Sequence, residues 1–150
     1  MKKDRVYVDT SVIGGCLDDE FAEWSLQVIE MAMGGEIILL VSDLLVAELQ
    51  EAPGEVQNLL TGVPASNQEL IQVNDETDSL LQAYMKEKIV GRRYTTDAHH
   101  VAMASVHRAD VLLSWNFKHI VHLDKIRKFN SVNLRLGYPL VEIRSPKEYV

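Results

Sequence analysis

The sequence predicts an α/β protein with three layers, α/β/α, around a central and mainly parallel sheet, and three observations predict it. Short aliphatic or β-branched runs recur along the chain, among them RVYVD, EIILLV and VLLS. Segments with helical spacing of their apolar residues lie between them. The runs are apolar almost throughout rather than alternating, as in strands covered on both faces, and crossover helices are the usual link between parallel neighbours.

The first strand is expected over Arg5 to Asp9, where Val and Tyr favour an extended backbone. A helix follows over Phe21 to Met33 and ends at Gly34-Gly35. The second strand covers Glu36 to Val41. The helix after it covers Asp43 to Ala52, with Ser42 or Asp43 available as cap and Pro53-Gly54 closing it. GVPASN, residues 62–67, is a loop of ordinary length. Helices are expected over Asp75 to Lys88 and Thr96 to His107, the second capped by Thr95 or Thr96. Val111 to Ser114 is a strand, Lys125 to Leu136 a helix, and Leu140 to Ile143 the last strand. No repeat, low-complexity tract or linker interrupts the pattern, so residues 1–150 are expected to form one domain.

With 150 residues, 47% of them hydrophobic, the chain can bury one good core. No stretch approaches the ~18 uninterrupted apolar residues of a membrane span. The apolar run in MKKDRVYVDTSV is broken too soon by Asp9 for a signal peptide, so the cytoplasm is the expected location and no membrane partner is expected. Cys16 is the only cysteine, which excludes an internal disulfide and a thiolate metal cluster. The net charge of −7 speaks against a polyanionic partner, but it hides an asymmetry. Residues 1–80 carry 3 Lys/Arg against 16 Asp/Glu, and residues 81–150 carry 12 against 6. Two readings stay open: charges interleaved over the surface, or an acidic metal pocket beside a basic path for phosphates.

In open α/β sheets the ligand crevice lies outside the carboxyl ends of the strands. Asp9 ends the first strand and precedes Thr10-Ser11, whose hydroxyls can orient it or a water; an Asp there also serves as an ordinary helix cap. Glu48 lies in the apolar helix LLVAEL, where its carboxylate either reaches past the core or shares an exposed stripe with Glu51 and Glu55. Asp97 opens the helix TTDAHHVAMASVHRA, where amide dipoles favour a negative charge. Ala98, Ala102, Ser105 and Ala109 give that helix a small-residue face able to pack closely on the sheet and bring Asp97 to the strand ends. Asn116 follows a strand end, where an amide oxygen ligates a hard cation more weakly than a carboxylate or simply forms a turn. The histidines do not make a zinc site. His99 and His100 point about 100° apart, no HExxH spacing occurs, and the expected place of these two is a solvated helix face.

VYVDTSV, LLVAEL, TTDAHHVAMAS and ADVLLSWNFKHI together resemble, in order and context, the PIN-domain nucleases, especially the VapC-type toxins, over nearly the whole chain. Each string is short; their order on matching elements carries the resemblance. It implies a metal-dependent endoribonuclease of single-stranded RNA, using Mg²⁺ or Mn²⁺ and leaving a 5′ phosphate and a 3′ hydroxyl. It also implies a homodimer and a cognate antitoxin as partners. Asp9, Glu48 and Asp97 match the family's catalytic and metal-binding acids. Asn116 stands where the family's fourth acid is usual, and Ser114 matches the hydroxyl residue shortly before it. Asn116 leaves three carboxylates, enough for one metal and short of a full two-metal set. The implied chemistry is a water activated by metal held on Asp9 and Asp97 and positioned by Glu48. Substrate contacts are expected from Thr10 and Ser114 and, for phosphates, from Lys86, Lys88, Arg92, Arg93 and Lys118. A second reading is a catalytically weak or inactive module that binds RNA or a protein. A third, phosphoryl transfer through Asp9, is opposed by Ser11, which stands where haloacid-dehalogenase-like phosphatases carry a second Asp.

Overall fold

A computed structural model describes residues 2–150. Among these residues, five strands form one parallel sheet: β1 (Asp4–Val8), β2 (Ile37–Ser42), β3 (Gln68–Ile71), β4 (Val111–Leu113) and β5 (Ile143–Arg144), in the order β3-β2-β1-β4-β5. Eight α-helices connect or flank them: α1 (Thr10–Gly15), α2 (Ala22–Met33), α3 (Asp43–Leu49), α4 (Gly54–Asn58), α5 (Asp75–Lys86), α6 (Thr95–Val106), α7 (Leu123–Arg135) and α8 (Pro146–Tyr149). The three-layer α/β/α arrangement expected from the apolar runs is the one observed.

Side-chain alternation along the strands divides the core. Val6 and Val8 of β1, Leu39 and Val41 of β2, and Leu113 of β4 face one layer with Val12, Ile13, Val28 and Leu45. Tyr7, Leu40 and Leu112 face the other layer with Leu80, Tyr84, Val101, Met103 and Phe129. Burying one such aliphatic side chain is worth roughly 1.5–3 kcal/mol, and a helix cap only about 1. The two apolar layers therefore hold the fold, and the caps set where helices begin.

Several elements lie beyond what periodicity shows. α1, α4 and α8 are too short for a helical period to register, and β3 carries exposed residues at the sheet edge. Pro53 does break the chain after α3, but Gly54 then starts α4 rather than ending in a loop. The last strand lies at Ile143–Arg144, later than Leu140 to Ile143: Leu140 is exposed, Val141 is buried in the core, and the ladder with β4 pairs Leu112 with Ile143 and Leu113 with Arg144. Ser42 caps α3 by accepting from the Leu45 amide at 2.9 Å. Neither Thr95 nor Thr96 caps α6: Thr95 is its first residue, and its hydroxyl donates to the Arg92 carbonyl.

The strand order reverses between β1 and β4, the switch point outside whose carboxyl ends open α/β sheets place their ligands. Asp9 and Ser114 are the residues that immediately follow those two strands. The small-residue face of α6 is buried at Ala98, Ala102 and Ser105, which sets the first turn of α6 against this end of the sheet.

Candidate functional site

Asp9 is 4% exposed and held on three sides. Ser11 Oγ and Ser114 Oγ each donate to one of its carboxylate oxygens at 2.6 Å, and the Val12 amide approaches at 3.4 Å as the cap contact of α1. Both readings of Asp9 are thus realised together: it caps α1 and still presents a carboxylate at the switch point. The two serines are fixed in turn. Ser11 Oγ accepts from the Trp115 amide and Ser114 Oγ accepts from the Asn116 amide, both at 2.9 Å. Burial pushes the Asp9 carboxyl up, against the pull of His100 and of both serines.

Glu48 does not share the exposed stripe of Glu51. It accepts from His100 Nε2 at 2.6 Å, and His100 Nδ1 lies 2.5 Å from the Tyr7 hydroxyl, itself 3.0 Å from Ser42 Oγ. This corrects the expected place of His100, which is 2% exposed rather than on a solvated face. The reason is that α6 is buried nearly all round, at Ala98 and from His100 to Ser105, so it has almost no solvated face at this level. Burial raises the Glu48 carboxyl, but the hydrogen bond and charge of His100 outweigh it and hold the group below its ordinary value. The Thr10 hydroxyl sits beside Glu48 and helps keep it charged, yet is buried without a well-formed hydrogen bond.

Asp97 stands at the first turn of α6 with its carboxyl raised, first by burial and then by the negative charge of Asp9; His119, His100 and a hydrogen bond from Asn116 pull the other way. Asn116 also builds the turn after β4, its Oδ1 accepting from the amides of Lys118 at 3.2 Å and His119 at 2.9 Å. The turn-forming reading of Asn116 is the one these contacts realise, its amide oxygen accepting from two backbone amides.

Basic residues border this acidic end. Lys86, Lys88 and Arg92 line a cavity of about 660 Å³ that reaches Thr95, two residues before Asp97. Lys118 Nζ and Arg93 Cζ lie 5.9 and 6.0 Å from the Tyr94 ring centroid, so the segment before α6 and the turn after β4 carry their cations to the same aromatic side chain. The structure brings together Asp9, Glu48, Asp97, Asn116, Thr10 and Ser114, with Arg93 and Lys118 at their margin.

Among the described residues, no three His, Cys, Asp or Glu side chains stand as a ready ligand set, since Glu48 is turned to His100 and Asp9 to its serines. The donor chemistry nevertheless fits a hard divalent cation. The available oxygens are carboxylate, hydroxyl and amide, and a cation would relieve the mutual repulsion of Asp9 and Asp97. Sequence reasoning had Ser11 as a hydroxyl able to orient Asp9 but missed Tyr7 and the burial of His100; the apolar and small run VAMAS that follows His100 is the signal that was present.

No family model and no curated protein matches the chain. Solved structures do. VapBC2 from Rickettsia felis, solved bound to a DNA fragment from their promoter, contains a chain 14% identical, with a TM-score of 0.57 over 93% of this chain and 97% of that one. FitAcB from Neisseria gonorrhoeae contains a chain 14% identical, with a TM-score of 0.59 over 95% and 98%. At this identity the likeness is one of fold. The protein has a PIN-like three-layer α/β/α fold, the class its sheet order and switch-point crevice define. Among the described residues no helix is long and apolar enough to cross a membrane.

Proposed function

We propose that the protein is an endoribonuclease that hydrolyses single-stranded RNA with Mg²⁺ or Mn²⁺, and that it is the toxin of a two-protein toxin–antitoxin module. The observation that carries this reading is that Asp9, directly after β1, and Glu48 of α3, tied through His100 to the helix whose first turn carries Asp97, stand at the same carboxyl end of the sheet. The fold likeness to chains of VapBC2 and FitAcB supports it.

Asp9, Asp97 and Glu48 are the groups that would hold the cation; the amide oxygen of Asn116 is engaged by the Lys118 and His119 amides and would have to leave them to join the set. When bound, the cation supplies charge neutralisation at phosphate and a more acidic water. The chain does the rest. Ser11 and Ser114 fix the direction of the Asp9 carboxylate, and a neighbour that locks a ligand's rotamer is the usual way a site holds its geometry. His100 and Tyr7 do the same for Glu48, which would position the cation or its water. Lys118, Arg92 and Arg93 offer charge to phosphates on either side of the scissile bond. In this reading the protein forms a homodimer and an antitoxin covers the crevice.

A binding module is the second reading, favoured by one observation: Asn116 is uncharged and spends its amide oxygen on the turn after β4, where another acid would enlarge the ligand set. Titrating Mn²⁺ into the parent and into Asn116→Asp by calorimetry, with RNA cleavage measured beside it, separates the two. Binding by the parent, tightened in Asn116→Asp, supports the nuclease; no heat in the parent together with retained RNA binding supports the module.

A further inference from the structure

Phe117 is the only exposed aromatic side chain among the described residues, half of it open to solvent. It directly follows Asn116 and precedes Lys118, in the turn whose other end, Ser114, holds Asp9. A lone exposed apolar residue needs no explanation, but this one is unusually well supported. Its backbone amide donates to the Trp115 carbonyl at 3.0 Å, and the Asn116 side chain pins the next two amides. Its ring meets Trp115 edge to face, with centroids 6.1 Å apart. Trp115 is immobile in turn, stacked on Phe21 at 4.2 Å and donating Nε1–H to Ser25 Oγ at 2.8 Å. The other rings near the crevice are taken: Tyr94 stacks on His119 at 3.7 Å, and Trp115 is covered by Phe21.

We propose that Phe117 is a stacking platform for one nucleobase of a single strand that passes the Asp9 and Asp97 end of the sheet, with Lys118 taking the adjoining phosphate. This rests on the ribonuclease reading and adds to it a residue that selects unpaired substrate. A single strand can turn a base onto an exposed ring, whereas a duplex keeps its bases stacked. The basic border of Lys118 and Arg93 fits the same ligand and not an apolar protein segment.

The test is fluorescence anisotropy of a labelled 12-nucleotide RNA in EDTA, so that cleavage plays no part, with the full chain carrying Phe117→Ala, Phe117→Leu or Phe117→Tyr. Phe117→Ala and Phe117→Leu are expected to weaken binding roughly tenfold, and Phe117→Tyr less than about twofold. For the parent, a strand with a run of abasic sites is expected to lose as much as Phe117→Ala loses with the intact strand. Phe117→Ala binding like the parent would overturn the platform and leave Phe117 to a protein partner. Phe117→Leu binding like the parent would overturn stacking, since an apolar contact would then suffice. No RNA binding by the parent in EDTA, with metal-dependent cleavage intact, would also overturn the platform while leaving the nuclease reading standing.

Discussion

At the scale of single residues, the site is a set of carboxylates whose charges are opposed by their surroundings unless something neutralises them. Asp9 and Asp97 have folded-state carboxyls raised above their ordinary value of 3.8, by burial first. A raised carboxyl means the folded state binds the proton more tightly than the unfolded chain. The stability this contributes is fully present below 3.8 and is lost as pH rises through the raised values. A bound cation offsets that loss. Mn²⁺ is therefore expected to raise the melting temperature more at about pH 7.5 than at about pH 5, and Asp97→Asn to raise the cation-free melting temperature by a few degrees while removing most of the Mn²⁺ increment. Thermal melts across this pH range measure both. Asp9, Glu48 and Asp97 were legible in the sequence because each carboxylate interrupts or opens an apolar element. The relay from Glu48 through His100 to Tyr7 was not, because partners 52 and 93 residues apart meet only once the sheet is assembled.

At the scale of elements, the long helices and apolar strands were legible and the short ones were not. α2, α5, α6 and α7 span enough turns for a period to show, whereas α1 spans six residues and β3 four. Yet α1 matters most to the site, since it begins at the Asp9 cap and carries Ser11. Its end is fixed by a close approach that only glycine allows: a Cβ at Gly15 would lie 2.6 Å from Ser25 Oγ and 2.8 Å from Trp115 Nε1. Gly15→Ala must break or displace the Trp115–Ser25 hydrogen bond. It is expected to destabilise the fold by about 1–3 kcal/mol in urea unfolding, and an effect within about 0.5 kcal/mol, the range of an ordinary surface substitution, would contradict this packing.

At the scale of the whole molecule, the fold turns an acidic sequence of net charge −7 into a surface with a usable basic border. The acids of the first half supply Asp9 and Glu48; the cations of the second half gather around the approach to Asp97 as Lys86, Lys88, Arg92, Arg93 and Lys118. If the Lys86, Lys88 and Arg92 cavity is the path of the strand, replacing all three with Gln should lower the slope of log Kd against log salt by about 2, at roughly 0.7 for each phosphate of a single strand that is no longer neutralised. Anisotropy at several salt concentrations reads that slope. The central claim is that the convergence of acids on the β1–β4 crevice is a metal-dependent RNA-cleaving centre. Cleavage of a mixed single-stranded RNA panel in Mn²⁺, Mg²⁺ or EDTA, by the parent and by Asp9→Asn, tests it most directly. Cleavage by the parent with either cation, none in EDTA, and loss in Asp9→Asn are expected; cleavage by Asp9→Asn equal to the parent, or persisting in EDTA, would show that these acids are not such a centre.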